Sequence, residues 1–178
     1  MKKFFVFILV AGAVLVWGAP RASAVSGYIF YNKTVGDWTV MCWRDVSGGN
    51  KACRMSAPPE LLAPMAPQNL ITITEFKNDR YRVVIEVRDR VIPGLPAFVR
   101  IDDNQAHEAP IANGLVVWEG EGAVTILKQM HGGRNMVFRV HTAPEGLPRD
   151  IHVALGPPFA EAFTAYRQTL RAHGLIGG

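Results

Sequence analysis

The chain has 178 residues, with 19 Lys and Arg against 15 Asp and Glu, a formal net charge of +4 and two cysteines. That length suits one ordinary domain rather than several. The basic excess is concentrated at the N-terminus: without Lys2, Lys3 and Arg21 it falls to 16 against 15, which argues against nucleic acid or an anionic membrane surface as the partner.

Lys2 and Lys3 precede an apolar run from Phe4 to Trp17, followed by Gly18-Ala19-Pro20 and the small-residue sequence Ala22-Ser23-Ala24. A positive start, an apolar stretch too short to span a bilayer and an A-x-A site describe a cleaved secretory leader over residues 1–24. The expected product is a 154-residue exported domain beginning at Val25, in a bacterial periplasm, secreted or on the cell surface. No later apolar stretch is long enough for a transmembrane helix.

Trp38 to Trp43 is rich in β-branched and aromatic residues, and Ser47 to Asn50 is a turn signal with two glycines. A hairpin centred between Ser47 and Gly48 sets Cys42 opposite Cys53 on neighbouring strands. In an oxidising compartment that pair reads as a structural disulfide. Ten intervening residues give neither redox-active C-x-x-C spacing nor a zinc site.

A proline-rich loop from Ala57 to Gln68 follows, then a strand at Leu70–Phe76 and a turn at Asn78-Asp79. Arg80 to Val91 alternates apolar and polar residues as one long strand, broken by Ile92 to Pro96. Further strands are expected at 97–102, 115–118, 123–127, 136–142 and 151–155, with turns at 103–105 and 131–135 and a loop around Pro144 to Pro148. After Gly156 the period becomes helical: Phe159, Ala162, Phe163, Tyr166 and Leu170 form one stripe, with proline in the first turn and an end near His173-Gly174. The pattern predicts one mainly β domain over 25–178, an antiparallel β-sandwich or jelly-roll-like fold closed by an amphipathic helix over about 157–173.

The segment Gly36-Asp37-Trp38-Thr39-Val40-Met41-Cys42, with Cys53-Arg54-Met55 after it, resembles the invasion-associated locus B family of exported bacterial proteins. Phe98-Val99-Arg100-Ile101-Asp102-Asp103 resembles that family's central strand, and Phe159-Ala160-Glu161-Ala162-Phe163 its closing helix. The chain departs from the family in lacking a second cysteine pair between Ile111 and Val124. The resemblance implies a periplasmic or surface β-sandwich linked by name to host-cell invasion, hence virulence-related, with no catalytic residues to transfer.

Chemistry-bearing residues are sparse. Centring the last hairpin near Gly146-Leu147 pairs His141 with His152 on a solvent face, the chain's best metal candidates; a credible site needs a third ligand, and none is adjacent. Asp102, Asp103, His107 and Glu108 cluster at a turn, where such residues collect for backbone reasons. Arg80, Arg82, Arg88 and Arg90, with Arg100, read either as a solvated face that discourages edge pairing or as an anionic-ligand face for an envelope glycan, lipopolysaccharide or another protein. Trp38, Trp43 and Trp118 read as core anchors. The expectation is a non-enzymatic envelope-associated binding protein with no cofactor; the alternative is a periplasmic hydrolase or metal-dependent enzyme using His141 and His152.

Overall fold

The computed structural model describes residues 27–46, 49–57, 70–76 and 80–176. The leader expected over 1–24, the Ser47-Gly48 turn centre, the proline-rich loop from Pro58 onward and the Asn78-Asp79 turn lie outside those residues. Eleven described strands and two helices follow in chain order: β1 Gly27–Val35, β2 Trp38–Asp45, β3 Lys51–Ala57, β4 Leu70–Phe76, β5 Arg80–Glu86, β6 Ala97–Ile101, β7 His107–Ala109, β8 Ile111–Ala112, β9 Leu115–Glu119, α1 Gly120–Gly132, β10 Asn135–Thr142, β11 Leu147–Ala154 and α2 Pro157–Ala172.

The strands form two antiparallel sheets in a sandwich-like arrangement. The larger runs β1-β2-β3-β4-β5-β9-β8, a meander through its first five strands, and the smaller runs β11-β10-β6-β7. Alternation assigns the faces. Val40, Met55, Ile73, Val83 and Trp118 are laterally aligned and buried in the larger sheet, while Val99, Ile101, Met136, Phe138 and Val140 are buried in the smaller. These residues and the inward stripes of both helices make one continuous core.

The Cys42–Cys53 disulfide is present, with Cα atoms 4.0 Å apart, and the hairpin register is the expected one. Both cysteines are buried in the core. The Gly-Asp-Trp segment before them is a turn that seats the C-terminal helix. Gly36 takes a left-handed conformation, φ +58°, and a Cβ there would lie 2.9 Å from the Pro158 side chain. Two residues on, Trp38 is fully buried edge-to-face against Phe159 of α2, with ring centres 4.9 Å apart, and its indole N–H reaches the Ala154 carbonyl.

α2 follows the expected stripe, with Phe159, Ala162, Tyr166 and Leu170 buried. Tyr166 Oη accepts the backbone N–H of Glu75 at 2.7 Å, and burial pushes its phenol pKa up. The expected extent matches the observed helix to within a residue at its C-terminal end.

Three sequence expectations are corrected. Residues 123–127 are not a strand but the middle of α1. Their β-branched Val124, Thr125 and Ile126 suggested a strand, yet Ala123, Ile126, Leu127 and Met130 form a helical stripe that packs inward. Thr125 Oγ1 donates to the Glu121 carbonyl, as a threonine within a helix can. β5 stops at Glu86 rather than Val91, because the chain there leaves the larger sheet for the smaller. The Val87 N–H still bonds Gly114, but Ile92 N–H donates to the His141 carbonyl and Ala143 N–H to the Arg90 carbonyl. Finally, β1, β7 and β8 are strands that local pattern did not single out.

Candidate functional site

The proposed histidine pair does not form. β10 and β11 pair His141 with Pro148 and His152 with Val137, so the hairpin centres between Pro144 and Glu145, not near Gly146-Leu147. Both imidazoles lie on the outward face, as expected, but four rungs apart, roughly 13 Å along the strand. That is too far to share a metal ion. No group of three metal-ligating side chains occurs among the described residues.

The arginine face is also dispersed. Arg80 and Arg82 lie on the outward side of β5, where they line a cleft of about 290 Å³ with Phe76, Tyr81, Glu119 and Gly120. Arg82 is paired with Glu119 and lies over the Phe76 ring, 5.3 Å from its centre. Arg88 and Arg90 lie beyond the end of β5, and Arg88 approaches Glu86 at 3.5 Å. Arg100 is in the other sheet. Spacing along one long strand suggested a stripe, and the departure of the chain at Glu86 breaks it.

The acidic turn is structural. Asp102 sits at φ +47°, a conformation aspartate tolerates, and its two carboxylate oxygens accept the backbone N–H groups of Arg134 and Asn135, each at 2.9 Å. Those hydrogen bonds, Arg134's first, hold its carboxyl below the ordinary value of 3.8. His107 hydrogen-bonds the Gln129 side chain of α1. Asp102 and His107 are thus occupied in joining elements.

The tryptophans divide. Trp38 and Trp118 are buried, whereas Trp43 is half-buried beneath the Arg54 guanidinium, 5.1 Å from its ring centre.

The outward face of the smaller sheet carries the larger concavity, about 550 Å³, lined by Phe98, Arg100, Ala106, Val137, Arg139 and His141. Register dictates the arrangement. Phe98 of β6 lies opposite Arg139 of β10, which lies opposite Asp150 of β11; the next outward rung sets Arg100, Val137 and His152 in line. His141 stands one rung the other way, and its ring meets Phe98 edge-on with centres 6.5 Å apart. Arg139 holds Asp150 through Nε and Nη2 at 2.6 and 2.7 Å. That fork chiefly depresses the Asp150 carboxyl, and the charges of His152 and Arg100 add to the effect.

Two basic side chains keep unused hydrogen-bonding capacity. Arg100 has no ion pair within 4 Å among the described residues, and His141 Nδ1 is buried with no hydrogen-bond partner. Sequence reading singled out Arg100 and His141 but missed Phe98, Val137 and Arg139. Their alternation placed them on outward faces; only the pairing of β6 with β10, about forty residues apart, brings them together.

Two sheets, a bridged β2–β3 hairpin and a closing helix define a disulfide-linked, sandwich-like antiparallel β protein. No family model matches the chain, and no curated protein matches it in sequence. In three dimensions it is similar to the crystal structure of invasion associated protein B from Bartonella henselae. The TM-score is 0.64 at 15% identity, covering 80% of this chain and 98% of that one. At that identity the likeness is one of fold.

Proposed function

We propose that the chain is an exported, envelope-associated binding protein, periplasmic or surface-displayed, that works without catalysis or a cofactor. The observation that carries this reading is the open concavity on β6 and β10. It combines an apolar floor of Phe98, Ala106 and Val137 with the donors Arg100, Arg139 and His141. The imidazole of His141 lies edge-on to Phe98 and hydrogen-bonds no carboxylate or hydroxyl among the described residues. Export is supported by the leader-like N-terminus and by the disulfide. The fold is shared with a protein named for invasion. No helix among the described residues is long and apolar enough to cross a membrane.

Co-sedimentation of the oxidised chain with bacterial envelope fragments tests the proposal. Wild type should pellet with the fragments, and Phe98→Ala/Arg100→Ala should lose most of that retention while unfolding at an unchanged temperature. Wild type remaining in the supernatant would refute envelope binding, and equal retention of the double variant would refute this site.

A further inference from the structure

We infer that the β6–β10 concavity binds a carboxylate-bearing saccharide, an oligouronate-like chain; this rests on the binding reading above. Three observations select that chemistry.

The donors are distributed rather than convergent. Arg100 stands level with Val137, Arg139 is one outward rung further along β10 and His141 another, so successive basic side chains are separated by roughly 7 Å and span about 13 Å. A compact polyanion such as a free phosphate needs donors that close on one point. A chain of singly charged units matches a row of single donors.

The floor between the donors is apolar. Phe98 and Val137 are half-buried and alternate with Arg139 and Arg100 across the two strands. A pyranose ring presents an apolar C–H face that an aromatic ring can cover while its equatorial substituents reach sideways to hydrogen-bonding groups. The concavity offers both kinds of contact within about 550 Å³, room for a short oligosaccharide segment.

The charge is unbalanced in the required direction. Asp150 is committed to two nitrogens of Arg139, leaving that guanidinium's remaining N–H groups and Arg100 for a ligand. Arg100 is the member of this set best able to grip a carboxylate with its planar fork. Phe98 supplies the platform.

The test is calorimetric titration of the full oxidised chain with a defined hexa-uronate, its methyl-esterified neutral counterpart and inorganic phosphate. The acid form should bind, and esterification should weaken it at least tenfold. Arg100→Ala and Phe98→Ala should each weaken it about tenfold, whereas Arg82→Ala, in the other sheet, should leave it unchanged. Phosphate at equal concentration should not displace the uronate. Equal affinity for the ester, displacement by phosphate or full affinity in Arg100→Ala would each overturn the saccharide assignment. Envelope retention that depends on Phe98 and Arg100 without any uronate binding would overturn the ligand class and leave the binding role standing. Loss of both would remove the site.

Discussion

Arg167 of α2 grips the fully buried carboxylate of Glu75 on β4, donating from Nε and Nη2 at 3.1 and 3.0 Å. Beside it Tyr166 Oη accepts the Glu75 backbone N–H, so one turn of α2 satisfies both the carboxylate and the backbone N–H of one strand residue. Removing the arginine strands a charge where water cannot reach. Arg167→Ala should therefore cost about 3–5 kcal/mol, while Glu75→Leu/Arg167→Met should recover most of the loss. Urea unfolding of the two variants checks this, and an unchanged midpoint for Arg167→Ala would contradict it. Tyr166→Phe should cost about 1–3 kcal/mol by leaving the Glu75 N–H unpaired.

The Cys42–Cys53 bridge closes a short loop between directly paired strands. Its loss, in Cys42→Ala/Cys53→Ala, should lower stability by about 2–3 kcal/mol on chain-entropy grounds. Reductant should destabilise wild type by a similar amount and have no effect on the double variant. A reductant effect on the variant would mean that some other change is being measured.

Asp102 should leave a signature in acid. Its folded pKa lies below the ordinary value of 3.8, so the stability it confers is in place above about pH 5 and drains as pH falls through 3.8 towards the folded value. Asp102→Asn keeps an acceptor but cannot titrate. The wild-type advantage in melting temperature should be largest near neutrality and shrink as pH falls below 3.8. Asp150 is present in both proteins and cancels from the difference. An advantage independent of pH would rule out the carboxylate's charge as the cause.

Gly133 has an ordinary φ of −86°, so alanine there should gain about 0.4–1 kcal/mol from unfolded-state entropy. Against that, a Cβ would lie 2.5 Å from Ile101 Cγ2 and 2.9 Å from the Gln129 carbonyl, and the latter is backbone that cannot turn aside. Overpacking of this kind costs about 1–3 kcal/mol, so Gly133→Ala should be net destabilising. A raised melting temperature would show that the α1–β10 junction relaxes freely.

Local chemistry made much of the fold legible. The β2–β3 register followed from a turn signal and two cysteines, and the α2 stripe from its 3.6-residue period. The α1 misreading shows the limit of that approach. Residues 123–127 satisfy a strand's composition, and only the wider window through Met130 reveals the helix, which tertiary burial of one face then stabilises. The β10–β11 register failed for a related reason. A shift of the hairpin centre by two residues leaves every side chain on the same face, so the hydrophobic pattern cannot distinguish the two pairings.

Residue identities alone determined that this chain is β-rich, carries one apposed cysteine pair and ends in an amphipathic helix, because each of those depends on spacing within a dozen or so residues. The tertiary structure decided where the outward side chains lie: His141 apart from His152, Arg100 apart from Arg80 and Arg82, and Phe98 beside Arg139. Those relationships are set by which strands pair across long stretches of chain. Pairing is chosen by the burial of the inward faces, and the outward residues are carried to their positions by it.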